Sequence, residues 1–177
     1  MTMSTLTPTT AETTTPIPSV GLNHAVLFVS DIDTAVAFWT AALDLEVVTR
    51  IPQAAAAFLR LRNGDNHHDL GLFGLGPGVA RPPRPSIGLY HLAWQVPTID
   101  DLAAAKQTLG QLGALVGESS HGATKSLYAA DPDGNEFEVM WMLPRDTWGA
   151  MAEEATTERL DLDAELARWS GVTTAGR

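Results

Sequence analysis

Apolar residues along the middle of the chain follow a pattern that predicts strands and helices in a repeated order. An apolar run at residues 22–29, LNHAVLFV, is typical of a strand, and the Ala-rich segment Thr34–Ala42 after it predicts a helix. Strand-like segments follow, namely LEVVTRI, AAFLRLRN and HHDLGLFGL. The same order returns with LYHLAWQV, a predicted helix over Asp101–Leu109, and the segments ALVGESS, SLYAAD and NEFEVMWML. Each half of this region is therefore predicted to be a βαβββ module.

Polar residues at the ends of these elements support the same division. Asp33 and Asp100 precede the predicted helices and are natural N-caps, because a carboxylate can accept the free N–H groups of the first turn. The pair Asn63–Gly64 predicts a hairpin turn in the first half, and Asp131–Gly134 (DPDG) predicts a turn in the second half. Turns and caps thus fall at equivalent places in the two halves.

A direct self-match organises the region into two copies. With a shift of 91 − 24 = 67 residues and no gap, His24 aligns with His91 and Asp33 aligns with Asp100. Further identities fall at Gly21/Gly88, Leu22/Leu89, Val29/Val96, Ile32/Ile99 and Ala37/Ala104. A period of this length is too long for a solenoid unit and indicates two copies of one supersecondary module.

Composition divides the chain further. The Thr- and Pro-rich start cannot bury enough apolar area to offset ordering it, and the Pro- and Gly-rich segment between the modules is typical of an exposed linker. The tail has helical character, with Asp161 or Asp163 as a cap and Gly171 as a stop. The predicted organisation is a disordered arm at 1–19, a domain at 20–143 with modules 20–75 and 88–143 and linker 76–87, and a helical C-terminal extension at 144–177.

Charge and residue usage exclude several classes of protein. The net charge of −10 disfavours nucleic acid and anionic membrane surfaces as partners. No apolar run is long enough to span a bilayer, and the first residues lack the basic start and apolar core of a secretory signal. Cysteine is absent, which excludes disulfides and thiolate ligands. A cytoplasmic protein is expected.

The candidate chemistry lies in the strand-like runs. His24, His91 and Glu138 each interrupt an otherwise apolar segment, and a polar group in such a place needs a partner. Two histidines and one carboxylate are the donors of a facial triad, which holds Fe(II) and leaves positions open for substrate and O₂. Mn, Zn, Ni and Co are alternatives, because the same donors accept several divalent metals. The alternative for each residue alone is a purely structural role.

Longer motifs add a family resemblance. The segment DPDGNEFE before the last strand, and a His on the first strand of each module, resemble the vicinal oxygen chelate superfamily. That superfamily includes glyoxalase I, fosfomycin and bleomycin resistance proteins and extradiol dioxygenases. His67–Leu70 (HHDL) and residues 121–138 (HGATKSLYAADPDGNEFE) are similar to stretches of catechol 2,3-dioxygenase-like members. The resemblance implies an α+β fold in which two tandem βαβββ modules form a cupped sheet. If the two modules pair around a common cleft, repeat symmetry places His24 and His91 facing each other across it.

The resemblance also implies roles for individual residues. His24, His91 and Glu138 match the iron ligands, His68 matches an acid/base histidine, and Tyr128 matches a tyrosine that hydrogen-bonds the substrate. His121 is similar to a further pocket histidine. Glyoxalase I members usually carry a fourth ligand on the last strand of the first module. In this sequence the equivalent position is Gly71 or, with a one-residue slip, Leu70, and neither binds metal.

Three classes of function follow from these observations. The resemblance favours an Fe(II) extradiol dioxygenase that cleaves a small aromatic diol with O₂. The second class is another metal-dependent enzyme of this superfamily, such as a glyoxalase-like lyase or isomerase, an epimerase or a thiol transferase. The third is a metal-free protein that binds a small molecule, which would not need His24, His91 and Glu138 together. Folds of this kind often dimerise, so a homodimer is expected.

Overall fold

The computed structural model describes residues 17–81, 83, 85–154 and 156–174. Most of the arm predicted at 1–19 lies outside the described residues, as does Arg84 of the linker. In the described part of the chain, no helix is both long and apolar enough to cross a membrane.

The first module folds as a mixed sheet with one helix. Its elements are β1 (Ala25–Val29), α1 (Ile32–Leu43), β2 (Leu45–Ile51), β3 (Ala56–Leu61) and β4 (Leu70–Gly74). The strand order is β1-β4-β3-β2, with β1 parallel to β4 and the other neighbours antiparallel. The helix provides the crossover that a parallel pair requires.

The second module repeats this topology. Its elements are β5 (Leu92–Gln95), α2 (Ile99–Gln111), β6 (Leu115–Ser120), β7 (Thr124–Ala130) and β8 (Glu136–Met142). The order β5-β8-β7-β6 has the parallel pair β5–β8 at the same edge as β1–β4 in the first sheet. The predicted α+β fold of two βαβββ modules is therefore confirmed.

Strand register preserves the sequence repeat residue by residue. Val26 is opposite Gly71 in the first sheet, and Ala93 is opposite Glu138 in the second. The first pair maps onto the second by the shift of the sequence repeat, since 93 − 26 = 67 and 138 − 71 = 67. Gly71 therefore occupies the position in the first sheet that Glu138 occupies in the second.

The helix starts differ from the sequence prediction by two residues. Asp31, not Asp33, caps α1, and its Oδ1 accepts the Thr34 N–H at 2.7 Å. Thr98, not Asp100, caps α2 in a reciprocal capping box with Asp101. Each helix gains an extra half-turn because a better-placed oxygen precedes the predicted cap.

One apolar core joins the modules. Trp39 of α1 and Phe137 of β8 are both fully buried, with ring centroids 4.7 Å apart. Trp94 of β5 lies 6.3 Å from Trp39, and Phe38 lies 6.0 Å from Phe137. Large aromatic groups contribute much of the apolar area in such a core. The first helix is thus packed on the second sheet as well as on its own.

The C-terminal extension is anchored to the second module. Short 3-10 helices at Arg145–Thr147 and Gly149–Ala152 precede α3 (Leu162–Trp169). Glu165 on α3 reaches the ammonium of Lys125, a β7 residue that is 6 % exposed, at 2.7 Å. Asp100 accepts hydrogen bonds from the Ser170 hydroxyl and the Gly171 N–H. These contacts hold the extension against β7 and α2.

Candidate metal and catalytic site

His24 and His68 form one group of site residues in the first module. His24 directly precedes β1, is exposed, and its ring centroid lies 4.4 Å from that of His68. Nδ1 of His24 is 2.8 Å from Oδ1 of Asn23, an oxygen that only accepts, so Nδ1 carries the proton. The lone pair of His24 is then on Nε2, as a metal ligand requires.

His68 belongs to the loop before β4 and not to the strand predicted for HHDLGLFGL. Asn66 shapes this loop, because its side-chain amide donates to the carbonyls of Asn23 at 2.9 Å and His68 at 2.8 Å. Asp69 accepts the Leu61 N–H at 2.8 Å and closes the hairpin. Burial, and then the charges of His24 and His67, lower the pKa of His68. Both effects favour the uncharged ring of His68.

His91 and Glu138 form the centre of a second group, in the second module. Nε2 of His91 lies 3.1 Å from Oε2 of Glu138, and the side chains are 24 % and 11 % exposed. Nδ1 of His91 is buried without a hydrogen-bond partner among the described residues, and Oε1 of Glu136 lies 3.9 Å from it. A half-buried imidazole beside a nearly buried carboxylate supplies two ligands at one point.

Tyr128 and His121 lie next to that pair. Tyr128 is opposite Glu138 in the β7–β8 ladder, and its ring centroid is 5.7 Å from that of His91. The Tyr128 hydroxyl lies 2.8 Å from Nε2 of His121. Nδ1 of His121 lies 2.8 Å from the carbonyl oxygen of Thr156 in the C-terminal extension. A carbonyl only accepts, so His121 carries its proton on Nδ1 and accepts at Nε2.

The structure brings His91 and Glu138 together without His24, and the predicted cleft in which His24 faces His91 stays a prediction. Within the described ranges, no three His, Asp or Glu side chains are close enough to hold one metal ion. The modules meet at the carboxyl end of β1, where the Ser30 N–H donates to Asp133 at 2.9 Å and Asn135 reaches the Phe28 carbonyl at 3.4 Å. His24 is at the other end of this strand.

Strand geometry gives the size of this separation. From His24 to Ser30 the backbone advances six residues, or about 20 Å at the usual rise per residue. His91 precedes β5 by one residue, and the strand register therefore places it opposite Glu136. Glu136 directly follows the Asp133–Asn135 turn, which contacts Ser30. The packing of Trp39 on Phe137 dictates this arrangement, which sequence periodicity cannot show.

The donor set suits a divalent metal, but within one chain His24 lies in one group and His91 and Glu138 lie in the other. Two imidazoles and a carboxylate match the facial triad, and in each group a ligand nitrogen or oxygen is accessible. No fourth ligand is available from Gly71, where an added Cβ would lie 3.2 Å from Cγ2 of Val26. A side chain at Gly71 would therefore require Val26 to shift by a few tenths of an ångström.

Some partners in the site were not predicted from sequence. Asn23 has a local signal, since it directly precedes His24. The Ser119 hydroxyl lies 2.7 Å from Nε2 of His121. Ser119 could have been found from strand periodicity, because it shares a face of β6 with Gly117, the residue opposite Tyr128. Thr156 acts through its backbone carbonyl, 35 residues from His121, and no side-chain pattern indicates it.

A separate groove of about 780 Å³ lies at the seam between the modules. Apolar and polar side chains line it, including Phe28, Leu75, Ile87, Tyr90 and Asn135. None of the six predicted site residues lines this groove. The predicted site side chains therefore lie outside the groove.

Comparison with known proteins agrees with this fold. Residues 21–139 match the model of the "Glyoxalase/Bleomycin resistance protein/Dioxygenase superfamily", more than half of the chain. The chain belongs to this superfamily.

Named relatives include ring-cleaving dioxygenases. Biphenyl-2,3-diol 1,2-dioxygenase 3 of Rhodococcus globerulus is 32 % identical over 146 residues, covering 78 % of this chain and 74 % of the relative. Catechol-2,3-dioxygenase of Bacillus subtilis is 27 % identical over 149 residues, covering 82 % of this chain. The chain spans only 50 % of the length of the Bacillus protein.

Solved structures share the fold across different activities. A glyoxalase/dioxygenase from Nostoc punctiforme matches with a TM-score of 0.62 at 19 % identity, covering 75 % of this chain and 99 % of the other. Lactoylglutathione lyase from Agrobacterium tumefaciens matches with a TM-score of 0.53 at 22 % identity, covering 71 % of this chain and 96 % of the other. At these identities the likeness shows the fold alone.

Proposed function

We propose that this protein is an Fe(II)-dependent extradiol dioxygenase that cleaves a catechol-like aromatic diol with O₂. The observation that carries the proposal is the contact of His91 Nε2 with Glu138 Oε2 at 3.1 Å, beside the Tyr128–His121 pair. The two named relatives are a catechol and a biphenyl-2,3-diol dioxygenase, which supports a diol as substrate. His24 supplies the third ligand in this proposal.

The metal and the protein divide the work. Bound Fe(II) supplies a chelation point for the two diol oxygens and the electron transfer to O₂. His24, His91 and Glu138 would hold the metal, and a set of three ligands would leave positions for diol and O₂. Gly71, the position equivalent to Glu138, would offer the metal no fourth ligand.

Tyr128 and His121 act on a substrate proton. The Thr156 carbonyl holds His121 with Nε2 as acceptor, so the Tyr128 hydroxyl donates its proton to His121 and its oxygen accepts from a diol hydroxyl. When the diol gives up this proton to Tyr128, Tyr128 passes its own proton to Nε2. His121 then carries the positive charge, and Tyr128 stays neutral throughout. Such positioned proton transfer contributes about 10²- to 10⁴-fold to a rate.

His68 is placed to serve a second proton. It lies against His24, and Nδ1 of His67 is 2.9 Å from its Nδ1, which engages one of its two ring nitrogens and leaves Nε2 for the substrate. In the proposed reaction, His68 exchanges a proton with the bound substrate close to His24. Its role follows from the family resemblance together with this proximity.

Anaerobic loading with Fe(II), followed by a diol and then air, tests the proposal. A yellow ring-opened product should form with the wild type and fall below about one hundredth of that rate with His91→Asn, because a ligand is lost. The glutathione–methylglyoxal hemithioacetal serves as the competing substrate. Its isomerisation without any reaction of diols would favour the lyase class and contradict the proposal.

A further inference from the structure

We infer that Asn66 is a positioning residue that holds His24 and His68 together, with Asn23 carrying its effect to the His24 ring. The inference rests on the proposed function in taking His24 as a metal ligand and His68 as a proton-transfer residue. A single side-chain amide contacts both the segment before β1 and the loop before β4.

Both ends of the Asn66 amide are engaged. Its Nδ2 donates to the carbonyl oxygens of Asn23 at 2.9 Å and His68 at 2.8 Å, and Oδ1 of Asp69 lies 3.2 Å from the same nitrogen. Its Oδ1 accepts the His67 N–H at 2.8 Å and an N–H of the Asn23 side chain at 3.2 Å. Asn23 and Asn66 are 43 residues apart in sequence, so the amide joins two segments that only the fold brings together.

Strand pairing stops just before the two histidines. The β1–β4 ladder begins with Ala25 opposite Leu70, and His24 and His68 precede these paired residues. Their ring centroids nevertheless lie 4.4 Å apart. Because the ladder does not reach them, the Asn66 amide provides the link between their two segments at this level.

The hydrogen bonds of this relay have one direction, because they start from a backbone group. The His67 N–H can only donate, so the atom of Asn66 that faces it is the oxygen. That oxygen can only accept, so Asn23 turns its amino group to it and its own oxygen to Nδ1 of His24, at 2.8 Å. His24 is therefore protonated on Nδ1, and its lone pair is on Nε2, where a metal can bind.

The tautomer of His24 matters for metal binding. An imidazole without such a partner favours the proton on Nε2 in water, which blocks that nitrogen as a ligand. Partners that hold the second nitrogen of a ligating histidine typically raise metal affinity by about 10- to 100-fold. Loss of either asparagine should therefore weaken the His24 ligand, and loss of Asn66 should also release His68.

Nuclear magnetic resonance of the metal-free protein tests the relay without any metal or diol. Imidazole nitrogen shifts at alkaline pH, with His24→Gln as the assignment reference, report which nitrogen of His24 carries the proton. We expect Nδ1 in the wild type, predominantly Nε2 in Asn23→Leu, and Nδ1 again in Asn23→Asp, whose carboxylate restores the acceptor. Overhauser contacts between the His24 and His68 rings should be lost in Asn66→Ala.

Asn63→Ala is the matched control, because Asn63 is an exposed asparagine in the same connection between β3 and β4. This variant should keep the ring contacts and the wild-type tautomer. Calorimetric titration with Co(II) should show about ten-fold weaker binding for Asn23→Leu and Asn66→Ala, and unchanged binding for Asn63→Ala.

The tautomer and the ring contacts decide the outcome. A wild-type His24 protonated on Nε2 would overturn the inference, as would an Asn23→Leu variant that keeps the wild-type tautomer. Ring contacts that persist in folded Asn66→Ala would overturn the role of Asn66. The expected tautomers and ring contacts in a protein that turns over no diol would leave the inference standing and contradict the proposed function.

Discussion

The hydroxyl oxygen of Tyr128 lies 2.8 Å from Nε2 of His121. Because the Thr156 carbonyl requires a proton on Nδ1, the nitrogen facing Tyr128 is the acceptor in neutral His121. The Ser119 hydroxyl also approaches this nitrogen, at 2.7 Å, so two hydroxyls compete for one lone pair. The C-terminal extension thus determines the direction of the hydrogen bond at the candidate catalytic pair.

Removing the Tyr128 hydroxyl should slow turnover without weakening the fold. Tyr128→Phe keeps the ring but loses the proton path to His121, and we expect kcat to fall about a hundred-fold or more. Ser119→Ala is the control, because it leaves Tyr128 as the single donor to Nε2 and should change kcat by about two-fold or less. Steady-state kinetics on an iron-loaded diol assay measures both. Equal losses in the two variants would show that Tyr128 has no special role.

The buried pair Lys125–Glu165 should be important for stability. Lys125 also donates to the Ser120 hydroxyl at 2.8 Å, and its side chain is 8 % exposed. Glu165→Gln leaves this ammonium without its carboxylate, and we expect the free energy of unfolding to fall by about 3–5 kcal/mol. Urea denaturation measures the loss.

The double variant Lys125→Met/Glu165→Leu is the matched control for that experiment. Removing both charges avoids an unpaired buried ion, so its stability should lie close to that of the wild type. A double variant as unstable as Glu165→Gln would mean that packing of the extension, and not the charge pair, accounts for the loss.

Asp131 should make part of the stability depend on pH. The residue is 4 % exposed, and burial raises the pKa of its carboxyl above the ordinary 3.8, although hydrogen bonds from Asn135 oppose this shift. Between the unfolded and folded pKa values of Asp131, the folded state binds more protons than the unfolded state. The stability that protonated Asp131 contributes is therefore complete below pH 3.8, and it is lost as the pH rises through the folded pKa. Asp131→Asn removes the titrating group.

The comparison of wild type with Asp131→Asn isolates that contribution. Denaturant unfolding from acid to neutral pH should show the variant gaining stability relative to the wild type as pH rises. Parallel curves for the two proteins would contradict a raised pKa at Asp131. Because other carboxylates titrate equally in both proteins, only the difference between the curves is interpreted.

Glu136 should orient the His91 ligand. Oε1 of Glu136 lies 3.9 Å from Nδ1 of His91, and carboxylates that hold the second nitrogen of a metal-bound histidine raise metal affinity. Glu136→Gln should weaken Co(II) binding about ten-fold, with urea stability nearly unchanged. Calorimetric titration measures the affinity, and an unaltered dissociation constant would show that Glu136 does not orient His91.

Much of the fold follows from local signals in the sequence. The 67-residue repeat of His24 and His91 predicts two βαβββ modules, and the strand registers reproduce that repeat at Gly71 and Glu138. The helix caps were displaced because Asp33 and Asp100 have other partners, namely Arg50 for Asp33 and the Ser170 hydroxyl and Gly171 N–H for Asp100. Local pattern alone does not rank such competing partners.

The arrangement of the candidate site depends on longer-range contacts. Sequence motifs select His91, Glu138 and Tyr128, and the structure brings these three together. They also select His24, whose distance from His91 is determined by the packing of aromatic side chains between modules. Periodicity gives the face on which a side chain lies but not the orientation of one sheet to the other.

Oxygen consumption tests the central claim most directly. Iron-loaded wild type is mixed with a diol in a sealed cell, and O₂ uptake is recorded together with the absorbance of the yellow product. The account predicts equimolar O₂ uptake and ring-opened product, both lost in His24→Ala and in Glu138→Gln. Conversion of a diol without O₂ uptake, or undiminished uptake in either variant, would contradict it.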